Sequence, residues 1–405
     1  MSAPKPTQGS TPPPRPALFV LLAALSVLPV TAHLPALADI ADTYGTGAAT
    51  VNLSIAGYAV AAVAAEATSG ALADRYGRRR VVLVSITVFV LASLGCALAT
   101  TVELFLLCRV SQAAIAACFP VAMVALRASA HTDDAVRRLG RAGMFWALAP
   151  MLGTVVGGTL AQHAGWRSIF LALTALGGLV LVVVLRHVGE AAAHAGAHRP
   201  GFGRALPHIL GSASFWTLSL CMAFSMGTLY VFLGGAPLVM EHQYGASGTA
   251  LGLYMAMVPA GFVAGGLVAG PLGDRLPREH LLVVARLLTC AGLLAGMLAA
   301  TALPLHPLVL FSACAFVGVG NGITTPVVNA GVMSVRDDAA GTALGLSAAV
   351  GIGGGALVSM AAGPALETTV SADQLLVLLL APSALALVAA LVGAAVERTR
   401  RTVPG

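Results

Sequence analysis

Charge is what this sequence has least of. Only 9% of its 405 residues are charged, 58% are hydrophobic, and the mean hydropathy is +0.90. So few charges cannot solvate the surface of a soluble protein of this length, which excludes a water-exposed globular fold and places the chain in a membrane. Lysine is nearly missing: Lys5 is the only one among 22 basic residues. The arginines gather mostly in short turns, so the net charge of +6 reads as an orientation signal and not as a nucleic-acid surface. Cys-x-x-Cys spacing is also absent. Cys96, Cys108, Cys118, Cys221, Cys290 and Cys314 all fall in apolar runs, which excludes a metal or redox motif and leaves small core residues. No Walker-type phosphate loop is present, and no loop or span assembles a nucleophile, base and oxyanion site or a metal set. ATP coupling, metal binding and enzymatic activity are therefore not expected.

What the chain has instead is apolar runs. A span needs about 20 apolar residues, and that template finds twelve, with cores at 16–37, 50–72, 81–100, 104–126, 142–161, 168–185, 212–238, 249–272, 281–301, 308–332, 342–362 and 374–396. In lipid every backbone amide must be paired internally, so the runs are helices. The expected fold is all-α and integral to the membrane, with twelve helices in two pseudo-symmetric halves. The divisions are a tail at 1–15 too poor in apolar residues to order, a half at 16–185, a linker at 186–207 rich in His, Gly and Arg, a half at 208–396 and a tail at 397–405. The basic start followed by an apolar run is not read as a cleaved signal, because many more such runs follow. With a cytoplasmic amino terminus, that side receives nineteen Lys and Arg, the outer side only Arg167, and Arg109 and Arg286 lie within spans. This positive-inside bias puts both termini and the linker in the cytoplasm, with the protein in the cell (inner) membrane.

The most informative stretch is the charged turn Gly70-Ala71-Leu72-Ala73-Asp74-Arg75-Tyr76-Gly77-Arg78-Arg79-Arg80 between two spans, echoed by Gly270-Pro271-Leu272-Gly273-Asp274-Arg275; Tyr44-Gly45 likewise recurs as Tyr244-Gly245. Gly70 to Arg80 resembles the signature after span two of the major facilitator superfamily. Arg109-Val110-Ser111-Gln112 resembles a span-four motif of its twelve-span drug:proton antiporters. Pro150, Gly153, Thr154, Gly157 and Gly158 resemble the span-five antiporter motif, with Gly153-Thr154 where Gly-Pro is usual. Leu34-Pro35-Ala36-Leu37, Trp166 to Phe170 and Phe215-Trp216 with Met226-Gly227 are reminiscent of the bicyclomycin and chloramphenicol resistance branch. The resemblance implies proton-coupled efflux of a small amphipathic drug or metabolite by alternating access, driven by the proton gradient without a cofactor. The partners are the substrate, protons and the bilayer, and the chain is expected to be monomeric. It also implies that Gly70, Asp74, Arg75, Gly77, Arg78, Arg79, Asp274 and Arg275 form a latch controlling the conformational equilibrium; the alternative for the arginines is topology alone. A dedicated exporter of an endogenous metabolite or metallophore, or a non-transporting receptor on the same scaffold, stays open.

Ionisable residues inside spans are expensive and point to function. Glu66 is the only carboxylate within any span. It is either a proton carrier or a residue close enough to the cytoplasmic end to reach water or an arginine. Arg109 cannot deprotonate, so it would tune a carboxylate or bind an anionic group. His33 titrates in a useful range and is either a coupling group or a hydrogen-bonded helix residue; at 1.5 Å per residue it lies about 15 Å from Glu66 in depth, so the two are not a direct pair. Thr31 stands where the resistance branch has an acidic residue. The substrate site is expected at the midplane between the halves, with Tyr58, Gln112, Phe145, Trp146, Met222, Met226, Tyr230, Asn321 and Asn329 as candidate lining groups. Their aromatic, Met and amide character suits an amphipathic molecule better than a sugar. Gly153 and Gly157, with Gly158 and Pro150, and Gly261, Gly265, Gly266 and Gly270, near Pro259, suit bent helices at a moving interface.

Overall fold

The computed structural model describes residues 16–128, 149, 152–187, 202–245, 253–273, 275–302, 306–368 and 371–402. Among them the chain is helical, without a strand. The helices are α1 (Pro16–Ala32), α2 (Leu37–Tyr44), α3 (Ala48–Tyr76), α4 (Arg78–Leu98), α5 (Val102–Gln112), α6 (Cys118–Ala128), α7 (152–164) and α8 (Arg167–His187) in the first half. The second half holds α9 (Phe202–Leu210), α10 (Ala213–Tyr244), α11 (Met257–Gly273), α12 (Arg278–Ala302), α13 (Pro307–Met333), α14 (Ala340–Thr368) and α15 (Ala372–Thr402). Eleven segments among the described residues are long and apolar enough to cross a membrane. The remaining expected span, 142–161, begins outside the described residues and ends in α7.

Two spans are broken, and both breaks matter for the site. The first stops at Ala32 and passes through a 3-10 turn, Leu34–Ala36, before resuming as α2. Pro29 and Pro35 lie in this region and lack the amide protons that a continuous α-helix would bond. The fourth span stops at Gln112, tightens into a 3-10 stretch at Ala113–Ala117 and resumes as α6, with Pro120 in its first turn. Thr101 starts α5 by accepting a hydrogen bond from the Leu104 amide at 3.3 Å, which closes the tight hairpin between α4 and α5.

The internal repeat has a backbone cause. Gly45 and Gly245 end α2 and α10 at φ 60 and 59, a left-handed conformation that a side chain would oppose. Gly77, at φ 90, makes the reversal between α3 and α4. Each half has its own core. Phe89, Phe105, Phe170 and Ile86 anchor the first; Phe232, Phe311, Val317 and Leu379 lie in one core cluster of the second, and Phe215, Ile323 and Val327 in another.

Close packing inside the halves relies on glycine. A Cβ on Gly157 would overlap the Ala32 carbonyl of α1, and Cβ atoms on Gly261 and Gly265 would overlap the Ala315 and Val319 carbonyls of α13. These faces therefore pack within their own halves. Their small size serves backbone contact with α1 and α13. Within and just after the expected linker, α9 is an amphipathic helix whose Ala205 and Ile209 are buried in one cluster with Ala339, just before α14, and Ala343 in its first turn.

Among the described residues the halves meet at the end of the bundle that carries the arginine-rich turns. There α3 lies against α14, with the backbone of Gly70 against Gly341 and Thr342, and Gly345 against the Glu66 carbonyl. Beside this seam Ala23, Phe119, Met123, Val124 and Leu126 of the first half form one apolar cluster with Ala330, Met333 and Leu344 of the second.

Candidate functional site

Both span breaks deliver polar groups to one point inside the first half. His33 sits at the break in span one, 1% exposed, and Arg109 and Gln112, each fully buried, lie in the last turn of α5. The Arg109 guanidinium donates through Nη1 to Gln112 Oε1 and lies 3.4 Å from the His33 ring nitrogens. Gln112 in turn donates to Ser93 Oγ of α4 at 2.7 Å. The Tyr58 ring stands under the guanidinium at 4.8 Å and the Phe170 ring at 6.0 Å. Aromatic faces partly compensate a desolvated cation. Phe170 continues outward into an edge-to-face set with Phe105 and Trp166, capped by Arg167 stacked at 4.4 Å over Trp166. The Trp166 to Phe170 stretch is thus the aromatic closure of this half.

A second network occupies the other half. Arg286 of α12, fully buried, donates to Ser225 Oγ at 2.8 Å and Asn321 Oδ1 at 3.2 Å, while Asn321 Nδ2 donates to the Ser225 carbonyl at 3.2 Å. Sequence reasoning placed Arg286 in a span without assigning it a partner; the available signal was an arginine at mid-span in a half that has no intramembrane carboxylate. Gln112 and Asn321, expected as cavity lining, are turned into these arginine networks instead, because a buried guanidinium needs acceptors more than a cavity needs an amide.

Glu66 is in the seam between the halves, 7% exposed. Its Oε2 is buried without a hydrogen-bond partner, and no arginine pairs with it among the described residues. Its own backbone carbonyl packs on Gly345, and Tyr58 of α3 and Tyr230 of α10 lie within electrostatic reach of its carboxylate. Two turns further on, Asp74 accepts a hydrogen bond from Thr342 Oγ1 of α14 at 3.3 Å, a partner that no motif announced. Arg75 turns back over the Tyr76 ring at 5.2 Å, Arg78 and Arg79 are half-buried, and Arg275 is exposed.

The structure does not gather the remaining candidates into one pocket. Met222 and Met226 pack on Gly351 and Gly355 of α14, and Asn329 is buried in α13. Gly153 lies against Thr31 and Leu28 of α1, and Gly158 against Pro35. Phe145, Trp146, Pro150 and Asp274 lie outside the described residues. A cavity of about 240 Å³ opens in the second half alone, lined by Ser214, Thr217, Arg278, Glu279, Ser334 and Glu397 among others, and holds none of the expected lining residues.

Two helical halves, a Gly-x-Leu-Ala-Asp-Arg turn whose aspartate bridges them, and buried arginines in each set the frame for comparison with known proteins. A sequence model of the Major Facilitator Superfamily matches residues 19–360. The chain belongs to that superfamily. This chain is a multi-pass membrane transporter of that superfamily, and the relatives it resembles include proteins named for drug resistance and drug efflux. It is 32% identical to a chloramphenicol resistance protein of Pseudomonas aeruginosa over 60% of this chain and 58% of that protein, so the match spans less than two thirds of that relative. It is 27% identical to the drug efflux pump JefA of Mycobacterium tuberculosis, covering 82% of this chain and 77% of the pump. The superfamily fold is also seen in the proton:xylose symporter XylE, with a TM-score of 0.74 at 14% identity over 93% of this chain and 94% of that one.

Proposed function

We propose that this superfamily member exports a small amphipathic drug or metabolite across the cytoplasmic membrane in exchange for protons, by alternating access, with both termini cytoplasmic. The carrying observation is Glu66: the only intramembrane carboxylate of the sequence, buried without an ion-pair partner in the seam where the halves meet. A carboxyl so placed gains or loses water contact when the seam opens, so its protonation follows the conformational change. The arginine-rich end is the cytoplasmic one by the positive-inside rule. The α3–α14 contact then represents a cytoplasmically closed state, in which Asp74 and Thr342 act as part of the latch. His33 and Arg109 couple to this seam through Tyr58, whose ring lies under Arg109 and on the same helix as Glu66. The names of the relatives support a drug-like substrate.

The test uses proteoliposomes with a pH-sensitive dye and a panel of amphipathic antibiotics. Substrate-driven proton flux in the native protein, abolished in Glu66→Gln while binding survives, is the expected result. Flux unchanged in that variant returns Glu66 to a structural role. Binding without flux, for every compound, favours a receptor.

A further inference from the structure

We propose that the cavity at the arginine-rich end of the second half binds a small ammonium group, carried by an aminophospholipid headgroup or by a free primary amine. The inference stands independently of the efflux reading, because every lining residue belongs to one half. The space itself comes from small residues. Ala390, Gly393 and Ala394 of α15 and Gly331 of α13 line it, and a Cβ on Gly393 would come within 3.1 Å of Thr217 Oγ1 on α10. At about 240 Å³ the cavity is smaller than the roughly 300–1,000 Å³ of pockets for drug-sized ligands, so it suits a small polar group.

Four helix ends surround this space, the amino ends of α10 and α12 and the carboxyl ends of α13 and α15. Their dipoles oppose one another, so the lining side chains decide which guest is favoured. Those side chains present acceptors. Two carboxylates, Glu279 and Glu397, stand against the single guanidinium of Arg278, which leaves one net negative charge. Arg278 donates through Nη1 to Ser334 Oγ at 2.9 Å. Thr217 and Ser334 give their hydroxyl protons to the Ser214 and Gly331 carbonyls, at 3.2 and 2.7 Å, and so turn only lone pairs towards a guest. The guest must therefore bring both donors and positive charge, which an ammonium with N–H bonds does and a quaternary or neutral group does not. The surroundings admit a lipid as well as a solute. Next to Thr217 in sequence, Trp216 is exposed and donates from its indole N–H to the Leu210 carbonyl at 2.7 Å, while Val388, Leu391 and Val392 of α15 are exposed beside the lining positions. Exposed tryptophan at a span end marks the membrane interface, where headgroups lie.

The experiment follows thermal unfolding of the full chain in two formats. One uses nanodiscs of phosphatidylglycerol mixed with either phosphatidylethanolamine or phosphatidylcholine of the same chains; the other is detergent solution titrated with ethanolamine, choline or ethylene glycol. The ethanolamine compound should raise the melting temperature saturably in at least one format, and the choline and glycol counterparts should not. Stabilisation by the lipid alone supports the site as a headgroup site, and stabilisation by free ethanolamine supports it as a site for a soluble amine. Glu397→Gln should weaken ethanolamine binding at least about tenfold, the order expected for a hydrogen bond to a charged acceptor. Ala394→Leu fills the cavity without removing a polar partner, so it should abolish the response and leave the unliganded protein folded. No stabilisation in either format, an equal effect of the choline compounds, or an undiminished response in Ala394→Leu would overturn the inference.

Discussion

Replacing a single hydrogen at Gly70 should unlatch the cytoplasmic end. A Cβ there would fall inside the Gly341 carbonyl and the Thr342 amide nitrogen, backbone atoms that no rotamer change can move away. To restore ordinary contact, about 3.5–4 Å between carbons, α3 and α14 must separate by about 1 Å or more. Overpacking of this kind costs about 1–3 kcal/mol, a shift of about 5- to 150-fold in the balance between closed and open states. Gly345→Ala should act alike, since its Cβ would strike the Glu66 carbonyl. Gly341→Ala is the internal control. Its Cβ would meet only the Gly70 Cα, at 3.4 Å, so it should leave the equilibrium within about 0.5 kcal/mol of native. The assay is the distance distribution between spin labels at Arg80 and Thr399, exposed positions in the two halves, in a background whose six cysteines are replaced. Gly70→Ala and Gly345→Ala should populate a longer distance. Equal behaviour of all three variants, or no change in Gly70→Ala, would refute the geometric argument.

Further outcomes follow from the same contacts. Thr342→Val removes the donor to Asp74 and should weaken the latch by about 0.5–1.5 kcal/mol; because Asp74→Asn acts through the same bond, the double variant should open the seam little more than the stronger single one, as read by the same labels. The Tyr58 hydroxyl is buried without a partner, so Tyr58→Phe should keep or raise the melting temperature, whereas Tyr58→Leu strips the ring from Arg109 and should lower stability by about 0.5–2 kcal/mol. Asn321→Leu leaves Arg286 without one of its two acceptors and should cost about 1–3 kcal/mol in thermal unfolding.

The sequence made the halves legible because their signals are local. Tyr44-Gly45 and Tyr244-Gly245 mark helix ends that need a positive φ, and most of the arginines mark turns between apolar runs. Glu66 and Arg109 were legible for the same reason, since one ionisable residue in an apolar run needs no partner to be noticed. What each helix faces was not legible. A membrane helix is apolar on all sides, so the amphipathic contrast that tells core from surface in a soluble protein is missing. Gly157 and Gly261 were legible as glycines of bent helices but not by their neighbours: they rest on α1 and α13, while Gly70, Gly341 and Gly345 lie in the seam. Gln112 and Asn321 were legible as polar groups in spans, but their partners Ser93 and Ser225 lie 19 and 96 residues away and carry no pattern of their own. The break at His33 depends on two prolines, Pro29 and Pro35, whose effect on pairing is visible only once the turn is built.

The central claim is that substrate and proton share Glu66 across one seam. The most direct measurement is the proton count on binding: purified protein in weakly buffered detergent solution, titrated with a transported antibiotic near neutral pH while pH is recorded. The account predicts that binding releases protons in the native protein and releases none in Glu66→Gln, which still binds. Equal proton release from both proteins would contradict it and move coupling away from the seam.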